Sequence, residues 1–137
     1  MKVVNITGDK TLIDKAGKLE IEINGNSFVN PSDTIYNYCL IDNDEILGGI
    51  DYSIVFDEAE ILYFYIVNSK RGNGYSKILL SETMSELKKR NIKSIFLEVN
   101  EKNTVAINLY KKFNFIPFNK RLNYYGSDSA IMMKVIL

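Results

Sequence analysis

Eight consecutive residues, Lys70-Arg71-Gly72-Asn73-Gly74-Tyr75-Ser76-Lys77, separate an apolar and aromatic run from a segment of helical periodicity. A strand, a glycine loop and a helix N-terminus in that order can bind an anion. The first-turn amides have no intrahelical partner, and the positive end of the helix dipole faces the ligand. Lys70, Arg71 and Lys77 would add positive charge. An ordinary strand-to-helix turn has the same composition, so the loop alone leaves both readings open. It does not match the Walker A pattern, which ends in G-K-[ST], nor G-x-G-x-x-G, since Lys77 stands where the third glycine would be. A second group capable of chemistry is Glu98, set within the otherwise apolar Ile95-Phe96-Leu97-Glu98-Val99. A carboxylate in such a strand loses solvent, which favours its protonated form and suits a general base. An exposed strand residue or a structural ion pair would equally account for it.

The chain has no histidine and one cysteine, Cys39. Ser-His-Asp and Cys-His catalysis, the usual zinc sites and an intrachain disulfide are therefore excluded. A general base must be a carboxylate, a Tyr, a Lys or Cys39 itself. Cys39 lies within a predicted strand and reads as a small buried hydrophobe with no chemistry.

These groups need a scaffold, and 137 residues with 46% hydrophobic and 25% charged side chains suffice for one core. A single domain over 1–137 is expected, with no apolar run long enough to span a membrane and no leader-like N-terminus. The default localisation is a soluble protein of the cytoplasm. Seventeen basic residues balance 17 acidic ones. Residues 1–66 hold 4 basic against 12 acidic residues, whereas 67–112 hold 10 against 4. The middle third could thus face a polyanion or simply carry solvated helix faces. Its basic residues follow no nucleic-acid recognition motif, and no nucleic-acid partner is expected.

Along the chain, residues 1–6 read as a strand and about 10–24 as a helix, with Gly25 placed to end it. Residues 26–34 are loop-like, with Ser32 or Asp33 placed to cap a short helical turn. Strands follow at 35–41, 46–55 and 59–67, joined by turns at Asp42-Asn43-Asp44 and Phe56-Asp57-Glu58. Gly48-Gly49 permits a bulge or a close backbone approach. Tyr75, Ile78, Leu79, Leu80, Met84 and Leu87 recur at steps of three and four, defining an amphipathic helix that ends in Lys88-Lys89-Arg90. A strand at 94–99 precedes a helix over 103–113, with Asn103 as N-cap and Asn114 at the left-handed position beyond its end. Residues 115–125 and 129–137 form a closing hairpin. A mixed α/β sheet fits this order.

Arg71-x-x-Gly74-x-Ser76 resembles the R/Q-x-x-G-x-G/A pyrophosphate loop of the GNAT-superfamily N-acetyltransferases. The likeness continues through Leu97-Glu98-Val99, Asn103 and Ala106-Ile107-Asn108-Leu109-Tyr110-Lys111-Lys112-Phe113-Asn114-Phe115, which is similar to the superfamily's L-E-V…N…A…L-Y-x-x-x-G-F run. Arg121-Leu122-Asn123-Tyr124-Tyr125 is similar to the R-x-N-Y-Y stretch of the ribosomal-protein-alanine (protein Nα) acetyltransferases. Together these segments cover roughly 59–137. Two positions depart from the pattern: Ser76 replaces the final Gly or Ala, and Asn68 stands where V-x-P-x-x-R has its proline.

The resemblance implies a GNAT fold: an α/β (α+β), mostly antiparallel mixed sheet of six to seven strands with splayed central strands and three to four helices. It implies acetyl transfer from acetyl-CoA to a primary amine, without a metal. A protein or peptide N-terminus is the expected acceptor. A small amine (polyamine or aminoglycoside) is the alternative, and a catalytically silent CoA-binding module is the rival of another class. Backbone groups of Tyr65, Ile66 and Val67 would pair with the pantetheine arm. Arg71, Gly72, Asn73, Gly74, Tyr75, Ser76 and Lys77 would hold the diphosphate, and Asn103 would cap its helix and touch CoA. Glu98 would be the base, directly or through water, and Tyr110 the acid for the departing thiolate. Tyr124 and Tyr125 would shape the acceptor cleft.

Overall fold

The structure, a computed structural model, describes residues 1–29 and 33–137. Strand β1 (Lys2–Asn5) leads into helix α1 (Lys10–Asn24). Asp9 caps the helix by accepting the Leu12 amide at 3.1 Å, and Gly25 ends it at φ 84°. The expected helical turn near Ser32 falls outside the described residues in part, and Asp33 and Thr34 form a turn.

Three antiparallel strands follow, β2 (Ile35–Asp42), β3 (Glu45–Val55) and β4 (Glu58–Ile66). The β2–β3 turn places Asn43 and Asp44 at φ 49° and 62°, the left-handed geometry whose twist suits a two-residue hairpin. A 3₁₀ turn at Asn68–Lys70 and the glycine loop connect β4 to α2 (Tyr75–Lys89). Then come β5 (Ser94–Asn100), α3 (Thr104–Lys112) and the hairpin β6 (Ile116–Tyr125) and β7 (Asp128–Ile136). Asn103 caps α3 through the Ala106 amide, and Asn114 sits at φ 69° beyond its end. The expected elements form within one or two residues of their predicted limits.

All seven strands join one sheet in the order β1-β2-β3-β4-β5-β7-β6. Its core divides into two clusters on opposite faces. Tyr38 and Leu40 of β2 point to the cluster that receives Leu79, Leu80 and Leu87 of α2 and Ile107 and Tyr110 of α3. Cys39, between them, joins Ala16 of α1, Ile6, Val29 and Ile46 on the other face. This alternation follows from the two-residue period of a strand. Thr83, compatible with either side of α2 by sequence, is buried because its hydroxyl bonds the Leu79 carbonyl and the Tyr52 hydroxyl, each at 2.8 Å. Among the described residues no helix is long and apolar enough to cross a membrane.

Among the described residues the β4–β5 contact is the one parallel pairing and the shortest. It spans only Glu58–Glu60 against Ser94–Phe96, after which the strands diverge. The register of β4 against β3 slips between Asp51 and Tyr52, leaving Leu62 as an extra residue in β4. Such a bulge bends its strand and raises the twist. Further along, a Cβ on Gly48 would meet the Tyr65 carbonyl oxygen and Ile66 Cδ1 at 2.6 Å, and one on Gly49 would meet the Tyr65 ring at 2.8 Å. The glycine pair therefore provides the close approach that the sequence anticipated, and it sets the path of the end of β4. Gly48→Ala must displace backbone, so we expect a loss of stability of about 1–3 kcal/mol by urea denaturation. Unchanged stability would show that β4 can retreat freely.

Candidate active site

Where β4 and β5 part, a cleft of about 1130 Å³ opens through the sheet. One wall is β4 from Ile61 to Ile66, and the other is Leu97–Asn100 of β5 with α3 behind it. The glycine loop closes one end.

The backbone along the β4 wall is asymmetric. Val67 donates its amide to the Leu47 carbonyl at 2.9 Å, and its carbonyl accepts from Lys70 N at 2.8 Å. Both groups of Val67 are therefore engaged within the protein, which departs from the expectation that Val67 would pair with a ligand. Backbone groups alternate in direction along a strand. Tyr65 thus shares the β3 side with Val67, while Phe64 and Ile66 face the gap. Arg71 folds back so that its Nε donates to the Ile66 carbonyl at 3.2 Å. The amides of Phe64 and Ile66 thus face the gap, with Ile66 nearer the loop. The Tyr65 side chain is core, only 4% exposed.

At the loop, Gly72 and Gly74 adopt φ 79° and 77°, in the left-handed region where other residues are strained. Gly74 is the N-cap of α2, so the first amides of that helix point into the cleft end without a side-chain cap. Tyr75, Ser76, Lys77, Lys70 and Arg71 line the same end. Asn73 turns inward instead: its Nδ2 donates to the carbonyls of Lys70 at 2.9 Å and Arg71 at 3.4 Å, stitching the loop together. Asn68 opens the 3₁₀ turn, so the loop closes without the proline of the family pattern.

Glu98 and Tyr110 both line the cleft. Leu97 and Val99 belong to the α2–α3 side of the core, which leaves Glu98 on the face that carries α1. Its carboxylate does not stand alone in an apolar strand. Arg121 of β6 reaches across β7 and pairs Nη2 with Glu98 Oε1 at 3.0 Å. A third group belongs to this cluster. Glu60 feels both Glu98 and Arg121, and burial with the Glu98 charge holds its carboxyl above the usual range. Sequence reasoning missed Glu60, and only its face on β4 brings it to Glu98. Tyr110 is 7% exposed and wedged between Phe64 and Phe115, with ring centroids 6.4 and 5.5 Å away. Burial pushes its phenol well above the ordinary tyrosine range, so it stays protonated.

Tyr125 reaches the cleft, whereas Tyr124 does not line it. Tyr124 packs edge-on to Tyr125 at 5.0 Å and lies under the Arg121 guanidinium, 5.5 Å from its ring centroid. Phe28 and Tyr63, which the sequence did not single out, stack at 5.3 Å and form a further wall on the α1 face. Among the described residues no group of three or more Cys, Asp or Glu side chains is placed to hold a metal ion.

Comparison with known proteins agrees with this geometry. Residues 10–115 match the model of the acetyltransferase (GNAT) family. A [ribosomal protein bS18]-alanine N-acetyltransferase of Haemophilus influenzae is 32% identical over 113 residues, covering 79% of this chain and 77% of the relative. The crystal structure of the ribosomal-protein-S18-alanine N-acetyltransferase from Escherichia coli superposes with a TM-score of 0.86 at 23% identity, over 98% of this chain and 94% of that one. An aminoglycoside 6′-N-acetyltransferase complexed with coenzyme A superposes with a TM-score of 0.84 at 14% identity, over 99% and 97% of the two chains. The family match over most of the chain, the 32%-identical relative and the shared fold lead to one conclusion: the chain belongs to the acetyltransferase (GNAT) family and is an acyltransferase.

Proposed function

We propose that this chain, acting as one domain over 1–137, transfers an acetyl group from acetyl-CoA to the N-terminal α-amine of a protein, with a ribosomal protein as the acceptor. The parting of β4 and β5 carries the reading. It brings a strand edge, a glycine loop at an uncapped helix N-terminus, a carboxylate and a protonated phenol to one cleft. The acceptor class is supported by the 32%-identical relative that acts on a ribosomal protein's alanine.

Acetyl-CoA supplies the activated acyl group as a thioester. The α2 amides beyond Gly74, with Lys70, Arg71 and Lys77, suit its diphosphate. The free edge of β4 suits its extended arm, which adds as a strand would. The Ile66 amide points into the gap where a carbonyl oxygen gains charge, and a fixed donor there lowers the barrier. Glu98 takes the proton of the attacking amine, directly or through water, from the α1 face. Its Oε1 is held by Arg121, which orients the carboxylate and must share it with the incoming amine. Tyr110, on the opposite face and still protonated, donates to the departing sulfur. Asn103 holds the start of α3 and thereby the position of Tyr110.

Mass-shift assays with acetyl-CoA and N-terminal peptides should show a single acetyl added to the α-amine. Turnover of a polyamine or aminoglycoside with no peptide modified would reject the protein acceptor. Tyr110→Phe should lower kcat by about 10²-fold or more with acetyl-CoA affinity retained. Unaltered turnover would remove Tyr110 as the acid. Binding of acetyl-CoA without turnover of any amine would leave a silent CoA-binding module.

A further inference from the structure

Behind the aromatic wall lie two carboxyl groups that the acetyl-transfer chemistry does not use. Glu20 of α1 and Asp51 of β3 are each 1% exposed. Asp51 Oδ1 accepts from Asn37 Nδ2 at 2.6 Å. Asp51 Oδ2 is fully buried, and no donor from the described residues reaches it. The group that the Asp51 carboxyl faces is the carboxyl of Glu20. Glu20 in turn accepts the Phe28 amide at 2.7 Å through Oε1. The same Asn37 amide nitrogen also reaches the Phe28 carbonyl at 3.5 Å. Both backbone groups of Phe28 are thus held by this buried cluster. The Phe28 ring stacks on Tyr63, which stacks on Tyr65 at 5.4 Å.

Two ionised carboxylates cannot face each other in an apolar interior with no cation between them. Among the described residues, Cys39 of β2 and Tyr63 and Tyr65 of β4 feel the charge of the pair, and Tyr63 also feels that of Arg71. None of the three immediate neighbours is a cation. We propose that Glu20 and Asp51 share a single proton, and that this acid–carboxylate pair is the positioning device that fixes Phe28 and so shapes the acceptor-side wall of the cleft. The assignment of that wall to the acceptor rests on the acetyl-transfer reading above; the shared proton does not.

Burial and the facing Glu20 push the Asp51 carboxyl up to about 9. The folded chain therefore keeps a proton that the unfolded chain releases above its ordinary value of about 4. Stability from this group is greatest at acid pH and declines as pH rises towards 9. Asp51→Asn supplies a permanent donor to Glu20 and keeps the acceptor for Asn37, so it should remove this decline.

Three measurements test the proposal. Infrared difference spectra at neutral pH should show a protonated-carboxyl carbonyl band in the wild-type protein that is lost in Asp51→Asn. Between about pH 5.5 and 7.5, below the range where the Cys39 thiol and Tyr65 phenol contribute, the wild-type Tm should fall by roughly 5 °C or more relative to Asp51→Asn. With whichever amine is turned over, Asp51→Ala should raise the acceptor KM about tenfold, with KM for acetyl-CoA unchanged and Asp51→Asn close to wild type. An absent band together with parallel Tm profiles would overturn the shared proton, even if no amine were acetylated. A present band with an unchanged acceptor KM in Asp51→Ala would overturn the positioning role. If Asp51→Ala fails to fold, Phe28→Ala substitutes in the kinetic arm, and an unchanged acceptor KM there overturns the same role.

Discussion

Everything in this molecule turns on the failure of β4 and β5 to stay paired. Backbone N–H and C=O groups in a sheet normally find partners, and leaving them bare has a cost. Here the parallel ladder ends after Glu60 and Phe96, while both strands continue for several residues. The Leu62 bulge bends β4, and the close Gly48 approach ties its far end to β3 rather than to β5. The strands are held apart from outside the gap, so the exposed edge is a stable part of the fold. In the proposed function, the extended arm of acetyl-CoA completes the ladder that the protein leaves open.

The two faces of this opening differ chemically. On the α2–α3 side, Tyr110 is packed among Phe64 and Phe115, where burial keeps it neutral. On the α1 side, Glu98 is charged in an ion pair with Arg121 and adjoins Glu60. A carboxylate and a neutral phenol thus face one cleft from opposite sides of a sheet, the base and the acid of the proposed transfer. That separation suits a transfer in which one proton leaves the nucleophile and another reaches the leaving group. Arg121 also rests on Tyr124, so the ion pair, the edge strand β6 and the tyrosine pair are packed against one another.

The balance of charge acquires a location as well. Lys70, Arg71 and Lys77 gather at the glycine-loop end, where they add to the α2 dipole. Part of the acidic excess of the first half is not on the surface at all. Glu20 and Asp51 are buried against each other, so a count of formal charges overstates the negative field of that half.

The elements were legible in the sequence because their signals are local. The helical spacing of α2, the caps Asn103 and Asn114, the turn at Asn43-Asp44 and the glycine loop each depend on a few neighbouring residues and their backbone preferences. The loop and the L-E-V and L-Y runs were legible as a family resemblance for the same reason. What depends on residues far apart was not legible. The engagement of both Val67 backbone groups follows from a contact with Leu47 and a 3₁₀ turn. The partner of Glu98 lies across a strand that intervenes between β5 and β6. The Glu20–Asp51 pair joins a helix to a strand whose composition reads as ordinary surface acid. Local propensity selected the helices, strands and loop; only the tertiary fold decided which backbone groups stay bare and which charges meet, because both depend on strand order and register rather than on spacing along the chain.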